Sequence, residues 1–194
     1  MTHEGSLAYY PPNLVVPAGR RTDRLWLRPL RASDVDLDYD AVMSSVAMLR
    51  AWSQSDWPAD EFTRAENLDD LQRHEREHEA REAFTFTVLE PGGARCLGCV
   101  YLTPLWPGQE PLRDGATLAT NVAFWVRASQ LANGLDAHLL AALREWLDAE
   151  WAFDRVVFTL RRQDPRQAEL LVEAGLELRL TFALPDGRLC ASFL

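Results

Sequence analysis

The chain has 194 residues, enough for one domain with a substantial core, and 47 % of them are apolar. No apolar run approaches the roughly 18 residues of a membrane helix, three cysteines are too few for a disulfide scaffold, and a net charge of −9 argues against nucleic acid as the main partner. The segment MTHEGSLAYYPPN has no basic region leading into an apolar core, so no secretory signal is expected there. The composition reads as a soluble cytoplasmic protein that does not engage a membrane. The acidity is uneven: Asp60 to Glu82 holds nine carboxylates against four arginines, which reads as a solvated helix face or as a surface that draws in a cationic amine.

Residues 1–20 carry Pro11, Pro12 and Pro17 and read as an extended arm, with one domain over 21–194. Leu25-Trp-Leu-Arg-Pro-Leu30 alternates as a half-buried strand does. Ser33 is a plausible N-cap for a helix running to about Trp52, and Asp60 to Arg81 reads as a second helix. Two strands, 83–89 and 96–103, flank the hairpin-like turn Glu90-Pro-Gly-Gly93. A proline- and glycine-rich loop over 104–116 leads into a strand from Leu118 to Arg127. Ala-Ser-Gln-Leu-Ala-Asn-Gly134 and the amphipathic run Leu135 to Trp151 follow, so the whole reads as strand, glycine-bearing loop and helix. Such a loop leaves unpaired backbone N–H groups at a helix N-terminus, which attract phosphate. Arg155 to Leu160 is a further strand. Asp164-Pro165 predicts an N-cap and first helical residue for a helix ending at Gly175. Two last strands, about 176–183 and 188–194, flank Pro185-Asp-Gly187. The order implies a mixed α/β fold with a largely antiparallel sheet and at least one crossover.

This order, together with Thr22-Asp-Arg-Leu-Trp-Leu-Arg-Pro-Leu30, Ser33-Asp34, Val122-Ala-Phe-Trp-Val126 and Asp164 to Gly175-Leu176, resembles the GCN5-related N-acetyltransferase (GNAT) superfamily over about residues 20–194. The nearest likeness is to the branch of the ribosomal-protein N-terminal acetyltransferases. The resemblance implies about seven strands flanked by helices, with a splayed cleft between the fourth and fifth that admits acetyl-CoA as co-substrate. It implies pantetheine pairing along Trp125, Val126 and Arg127. It also implies a diphosphate seated on the backbone of Asn133, Gly134, Leu135, Asp136 and Ala137. The family's loop reads Arg/Gln-x-x-Gly-x-Gly/Ala; aligned on Gly134, its first position is Leu131 and its last Asp136. Asn121 stands where the family often has a glutamate base, and Leu171 where it often has a tyrosine acid. An amide takes no proton at neutral pH and leucine donates none.

His74-Glu-Arg-Glu-His78 fits the HExxH zinc pattern in spacing. Its charged surroundings and the absence of a recognised third ligand, with only His3 and His138 remaining, lead to the expectation of no metal. At 100° per residue Glu75 points between Leu68 and Leu71, and a carboxylate aimed inward needs a partner or a function. Glu75 is therefore the candidate for handling the amine, Tyr101 the candidate proton donor to a leaving thiolate, and Asn121 the third residue of the catalytic set. Trp52, Gln54, Asp56 and Trp57 are the candidate acceptor site, walled by aromatics. Cys96 and Cys99, three apart in a strand, should face opposite sides. The function expected is acyl-CoA-dependent transfer of an acetyl group to a small-molecule amine or a peptide N-terminus. A catalytically silent member that binds CoA or another ligand and a zinc hydrolase built on His74 and His78 are the rivals, and a homodimer stays open.

Overall fold

A computed structural model describes residues 9–161 and 164–194 of the chain. Residues 1–8 of the N-terminal arm, His3 among them, lie outside the described residues. The elements run β1 Arg20–Arg21, β2 Trp26–Pro29, a 3₁₀ turn Ala32–Asp34, α1 Val35–Met43, α2 Val46–Ser53 and α3 Arg64–Ala80. They continue with β3 Phe84–Leu89, β4 Cys96–Thr103, β5 Ala119–Val126, α4 Leu135–Glu150, β6 Arg155–Arg161, α5 Pro165–Glu173, β7 Leu178–Ala183 and β8 Leu189–Phe193. One sheet holds the strands in the order β1-β2-β3-β4-β5-β6-β8-β7. Every pair is antiparallel except β5 with β6, which α4 joins as a crossover. Eight strands stand where about seven are expected, the addition being the two-residue β1. Among the described residues no helix is long and apolar enough to cross a membrane.

The sheet is covered on both faces, which is why β3 and β5 are buried throughout. Along β5 the side chains alternate: Val122, Phe124 and Val126 pack under α4, and Trp125 packs under α1 and α3. The stripe Leu135, Leu139, Leu143, Trp146 and Leu147 on α4 fills the first layer. Tyr10 of the arm is 1 % exposed in that layer, edge-on to Phe84 and Trp151. The Arg81 guanidinium holds the arm by donating to Pro11 O and Leu14 O at 2.6 and 2.8 Å.

Two local expectations are corrected. The single helix from Ser33 to Trp52 is broken at Ser44 and Ser45. Ser33 lies inside the 3₁₀ turn, where Asp34 accepts from the Arg31 N–H and from both terminal nitrogens of Arg28. The Ser45 hydroxyl accepts the Ala128 N–H, just past the end of β5, at 3.1 Å, which ties down the break. Cys96 and Cys99 share a face rather than opposing each other. The β3–β4 register skips one residue, pairing Leu89 with Cys96 and Val88 with Gly98, and this bulge turns both sulfurs into the layer under α1 and α3. Both remain free thiols.

Candidate active site

The parallel pairing of β5 with β6 starts at Ala119 and Arg155 and stops at Val122 and Phe158. Beyond that point β6 pairs only with β8, and Ala123 to Val126 pair only with β4. The two strands part, and a cavity opens on each side of the gap. One, of about 360 Å³, is walled by Trp52, Trp57, Tyr101 and Trp106, with Asp70, Arg73 and His74 of α3 at its edge and Ala123 and Leu160 from the two strands. The other, of about 240 Å³, lies between Met48, Trp52, Phe124 to Val126, Leu131, Asp136 and the start of α5. Trp52 lines both.

The loop into α4 turns at a glycine whose own N–H donates to Leu131 O at 3.1 Å. Gly134 sits at φ 65°, ψ 30°, the left-handed region that glycine enters without steric cost. A Cβ there would meet nothing within 4 Å, so the space above the helix start is open. Asn133 is exposed, and its carbonyl accepts from Arg24 at 2.8 Å. Leu135 is buried in the core and Ala137 is exposed.

Asp136, on the wall of the smaller cavity, does not cap the helix. Its carboxylate is held by Arg166 of α5, with Nε to Oδ2 at 2.7 Å and Nη2 to Oδ1 at 3.1 Å. The same guanidinium donates to Leu131 O at 2.7 Å. Beside it, Gln167 Nε2 donates to Phe124 O at 2.9 Å, and its buried Oε1 has no partner. Two residues of α5 thus bridge the mouth of the gap. The side chain of Arg127 points away from the gap, which leaves its expected backbone role at the cofactor untouched. Its buried side chain donates to Cys96 O at 3.1 Å and pairs with Asp40 at 2.6 Å. Trp125 and Val126 do lie on the wall of the smaller cavity.

The three residues expected to be catalytic are not brought together. Glu75 lines neither cavity of the gap. Its carboxylate accepts the Ala32 N–H at 3.3 Å, on the flank of α3 that meets the 3₁₀ turn. Asn121 is fully buried: its Oδ1 accepts from Gln109 Nε2 at 3.1 Å and its Nδ2 donates to Thr103 Oγ1 at 3.3 Å. It positions a loop instead of facing the gap. Tyr101 does line the larger cavity, where its ring stacks on Trp52 and its Oη accepts from Trp125 Nε1 at 3.2 Å. Burial pushes its phenol well above the usual range, so it is a weak proton donor.

Sequence reading missed His74 and Asp70 as cavity residues and Gln109 as the organiser of the wall. His74 has Nδ1 at 3.0 Å from Glu77 Oε2 and 3.2 Å from Thr85 Oγ1, and its Nε2 is 3.4 Å from Arg73 Nη2. Burial, with the Arg73 charge adding to it, lowers its pKa and keeps the ring neutral near pH 7. His78 packs edgewise on Phe84 and Phe86 instead, so the HExxH pair is divided between cavity and core. Among the described residues no group of three His, Cys, Asp or Glu is placed to hold a metal ion. Trp52 and Trp57 wall the cavity, but Gln54 and Asp56 lie on a separate polar recess with Arg50, Asp186 and Arg188.

Gln109 is fully buried and reaches four partners: Asn121 Oδ1, Thr159 Oγ1 at 2.6 Å, Ser192 Oγ at 2.8 Å and, through its own Oε1, the Trp106 N–H at 2.7 Å. It ties the loop 104–116 to β5, β6 and β8 and fixes Trp106 as a wall. Gln109→Ala strips these buried groups of a partner and is expected to cost about 2 kcal/mol, read as a lower midpoint in a urea melt. An unchanged midpoint would show that the hydroxyls satisfy one another without it.

The fold and the parted strands define a class, and comparison supports it. The chain matches the model of the acetyltransferase (GNAT) domain over residues 24–177, and it belongs to that family. Solved structures share the fold at low identity. The ribosomal-protein-S5-alanine acetyltransferase from Vibrio fischeri matches at TM-score 0.69 and 14 % identity, over 91 % of this chain and 95 % of that one. RimJ from Mycobacterium smegmatis, in complex with CoA-disulfide, matches at 0.69 and 16 %, over 87 % and 80 %. The microcin C7 self-immunity acetyltransferase MccE, in complex with acetyl-CoA and AMP, matches at 0.70 and 12 %, over 92 % and 96 %. No curated protein matches by sequence.

Proposed function

We propose that the protein transfers the acetyl group of acetyl-CoA to the nitrogen of a primary amine. The observation that carries this reading is the parting of β5 from β6 after Val122 and Phe158, with an aromatic cavity on one side and an open helix N-terminus on the other. When bound, acetyl-CoA supplies the thioester that the amine attacks. The residues present fit it. The first turn of α4 offers backbone N–H groups and the positive end of a helix to a diphosphate. Arg166 stands beside them, its charge paired with Asp136. The orphaned Oε1 of Gln167 offers an acceptor in the gap for an amide N–H. On the amine side His74 takes the proton, because its burial keeps it neutral.

A second reading, a silent member that binds a ligand without transfer, is favoured by the bridge of Arg166 and Gln167 across the gap, by Leu171 at the tyrosine position and by Asn121 at the base position. CoA release on addition of an amine separates the two readings. Calorimetry with CoA tests the cofactor placement. Gly134→Val forces a β-branched residue into the left-handed region over the cradle, and should weaken binding about tenfold. Asp136→Asn frees the Arg166 charge for the diphosphate and should tighten binding severalfold. Equal affinity in wild type and both variants would put the cofactor elsewhere.

A further inference from the structure

We propose that the acceptor is a small amine carried on a flat aromatic body, such as an arylalkylamine. This rests on the reading of the gap as an acetyl-transfer site. The larger cavity, about 360 Å³, suits one ring system with a short chain. Its walls are three indoles and a phenol ring, and the polar edges of one indole and of the phenol are already used inside the protein. Trp106 Nε1 donates to Thr103 Oγ1, and Tyr101 Oη accepts from Trp125 Nε1. At Trp106 and Tyr101 a ligand therefore meets ring faces. Thr159 on the same wall is engaged by Gln109 and Ser192.

The polar groups gather at one edge, on α3. Asp70 pairs with Arg73 at 3.1 Å, and Arg73 with Glu77 at 3.1 Å. Asp70 and Arg73 line the edge and Glu77 stands behind Arg73, outside the lining; with Glu77 drawing on the guanidinium, the Asp70 carboxylate is the group on the wall that suits an ammonium ion. His74 stands in this group to take its proton. A peptide N-terminus would bring backbone donors and acceptors against aromatic walls that cannot pair them, and unpaired polar groups are costly to bury. A flat ring has no such groups, and gains by stacking on fixed aromatic walls. Trp106 is fixed because Gln109 anchors its loop, so the cavity is shaped before the ligand arrives.

The experiment compares tryptamine, n-butylamine, putrescine and a Ser-Ala-Ala peptide. Binding is measured by calorimetry without acetyl-CoA, and turnover by thiol release with it. Tryptamine should exceed n-butylamine by about tenfold in both, the size of one aromatic contact. Trp106→Leu should erase that ratio and Trp106→Phe should keep it, with thermal melts confirming that both fold. Equal or better binding and turnover of n-butylamine or the peptide would overturn the proposal while leaving acetyl transfer standing. Selective tryptamine binding with no thiol release from any amine would overturn acetyl transfer and keep the ligand class. If none of the four binds, the ligand class is wrong.

Discussion

Replacing His74 by glutamine is expected to lower kcat/KM by roughly 10²-fold, the usual worth of a positioned general base, and to leave CoA affinity unchanged. The imidazole lines the larger cavity, and Glu77 accepts from Nδ1–H when the proton sits there, so Nε2 is the basic nitrogen; Arg73 Nη2 stands 3.4 Å from it and must give way to the amine. Because burial depresses its pKa below the ordinary 6.5, the ring is neutral at pH 7. The rate should fall as pH drops through that depressed pKa, and the variant should lose this acid limb. Glu75→Gln is the control. Its carboxylate is occupied by the Ala32 N–H, away from both cavities of the gap, so kcat/KM should stay close to wild type. A full loss in Glu75→Gln with none in His74→Gln would return the amine's proton to Glu75.

His74 and Glu75 are neighbours on α3, and the spacing of apolar residues alone chooses wrongly between them. Leu68 and Leu71 suggest an inward face centred near Glu75. The buried residues of α3 are Asn67 and Leu71, whereas Leu68 is only half-buried. Asn67 is 2 % exposed because its amide donates to Asp38 at 3.0 Å. The inward stripe is therefore 67, 71, 74 and 78, at spacings of four, three and four, and it carries both histidines. An asparagine at a core position hid the stripe from a reading based on apolar residues alone.

Elements held by local chemistry were legible. Asp164 accepts the Gln167 N–H at 2.9 Å as the N-cap before Pro165, and Gly175 follows α5 at φ 80°. The α4 stripe and the left-handed Gly134 also lie where the pattern puts them. What escaped depends on partners distant in the chain. Asp136 meets Arg166 thirty residues on, and Gln109 gathers Asn121, Thr159 and Ser192 from three strands. Neither pairing leaves a periodic trace. The loop's carboxylate therefore looks like a repulsion for phosphate until its counter-ion is seen. Asn121 looks like a failed base until Gln109 is seen.

Asp38→Asn is expected to stabilise the protein at pH 8 by an amount on the order of 3 kcal/mol and to have little effect at pH 4. Asp38 is 4 % exposed in α1. Burial pushes its carboxyl up to about 6, the Asn67 hydrogen bond works against that, and the charges of Asp34 and Asp70 add to it. Asp34 is itself neutralised by Arg28, so burial dominates. Cys99, His74 and Tyr101 face it across a cavity of about 30 Å³. A carboxyl whose folded pKa lies above its unfolded value holds a proton that the unfolded chain has released. Stability should then fall as pH rises from about 4 to about 6, and the penalty is complete above that. Asparagine keeps the acceptor for Asn67 and removes the charge, so it should flatten this slope. Groups that titrate alike in both proteins cancel in the difference. Urea midpoints from pH 4 to pH 8 give the two curves. Parallel curves would mean that Asp38 is charged in the folded state at little cost, with water in the small cavity solvating it. Converging curves toward pH 4 would mean that the fold tolerates a destabilising carboxyl directly behind the wall formed by His74 and Tyr101.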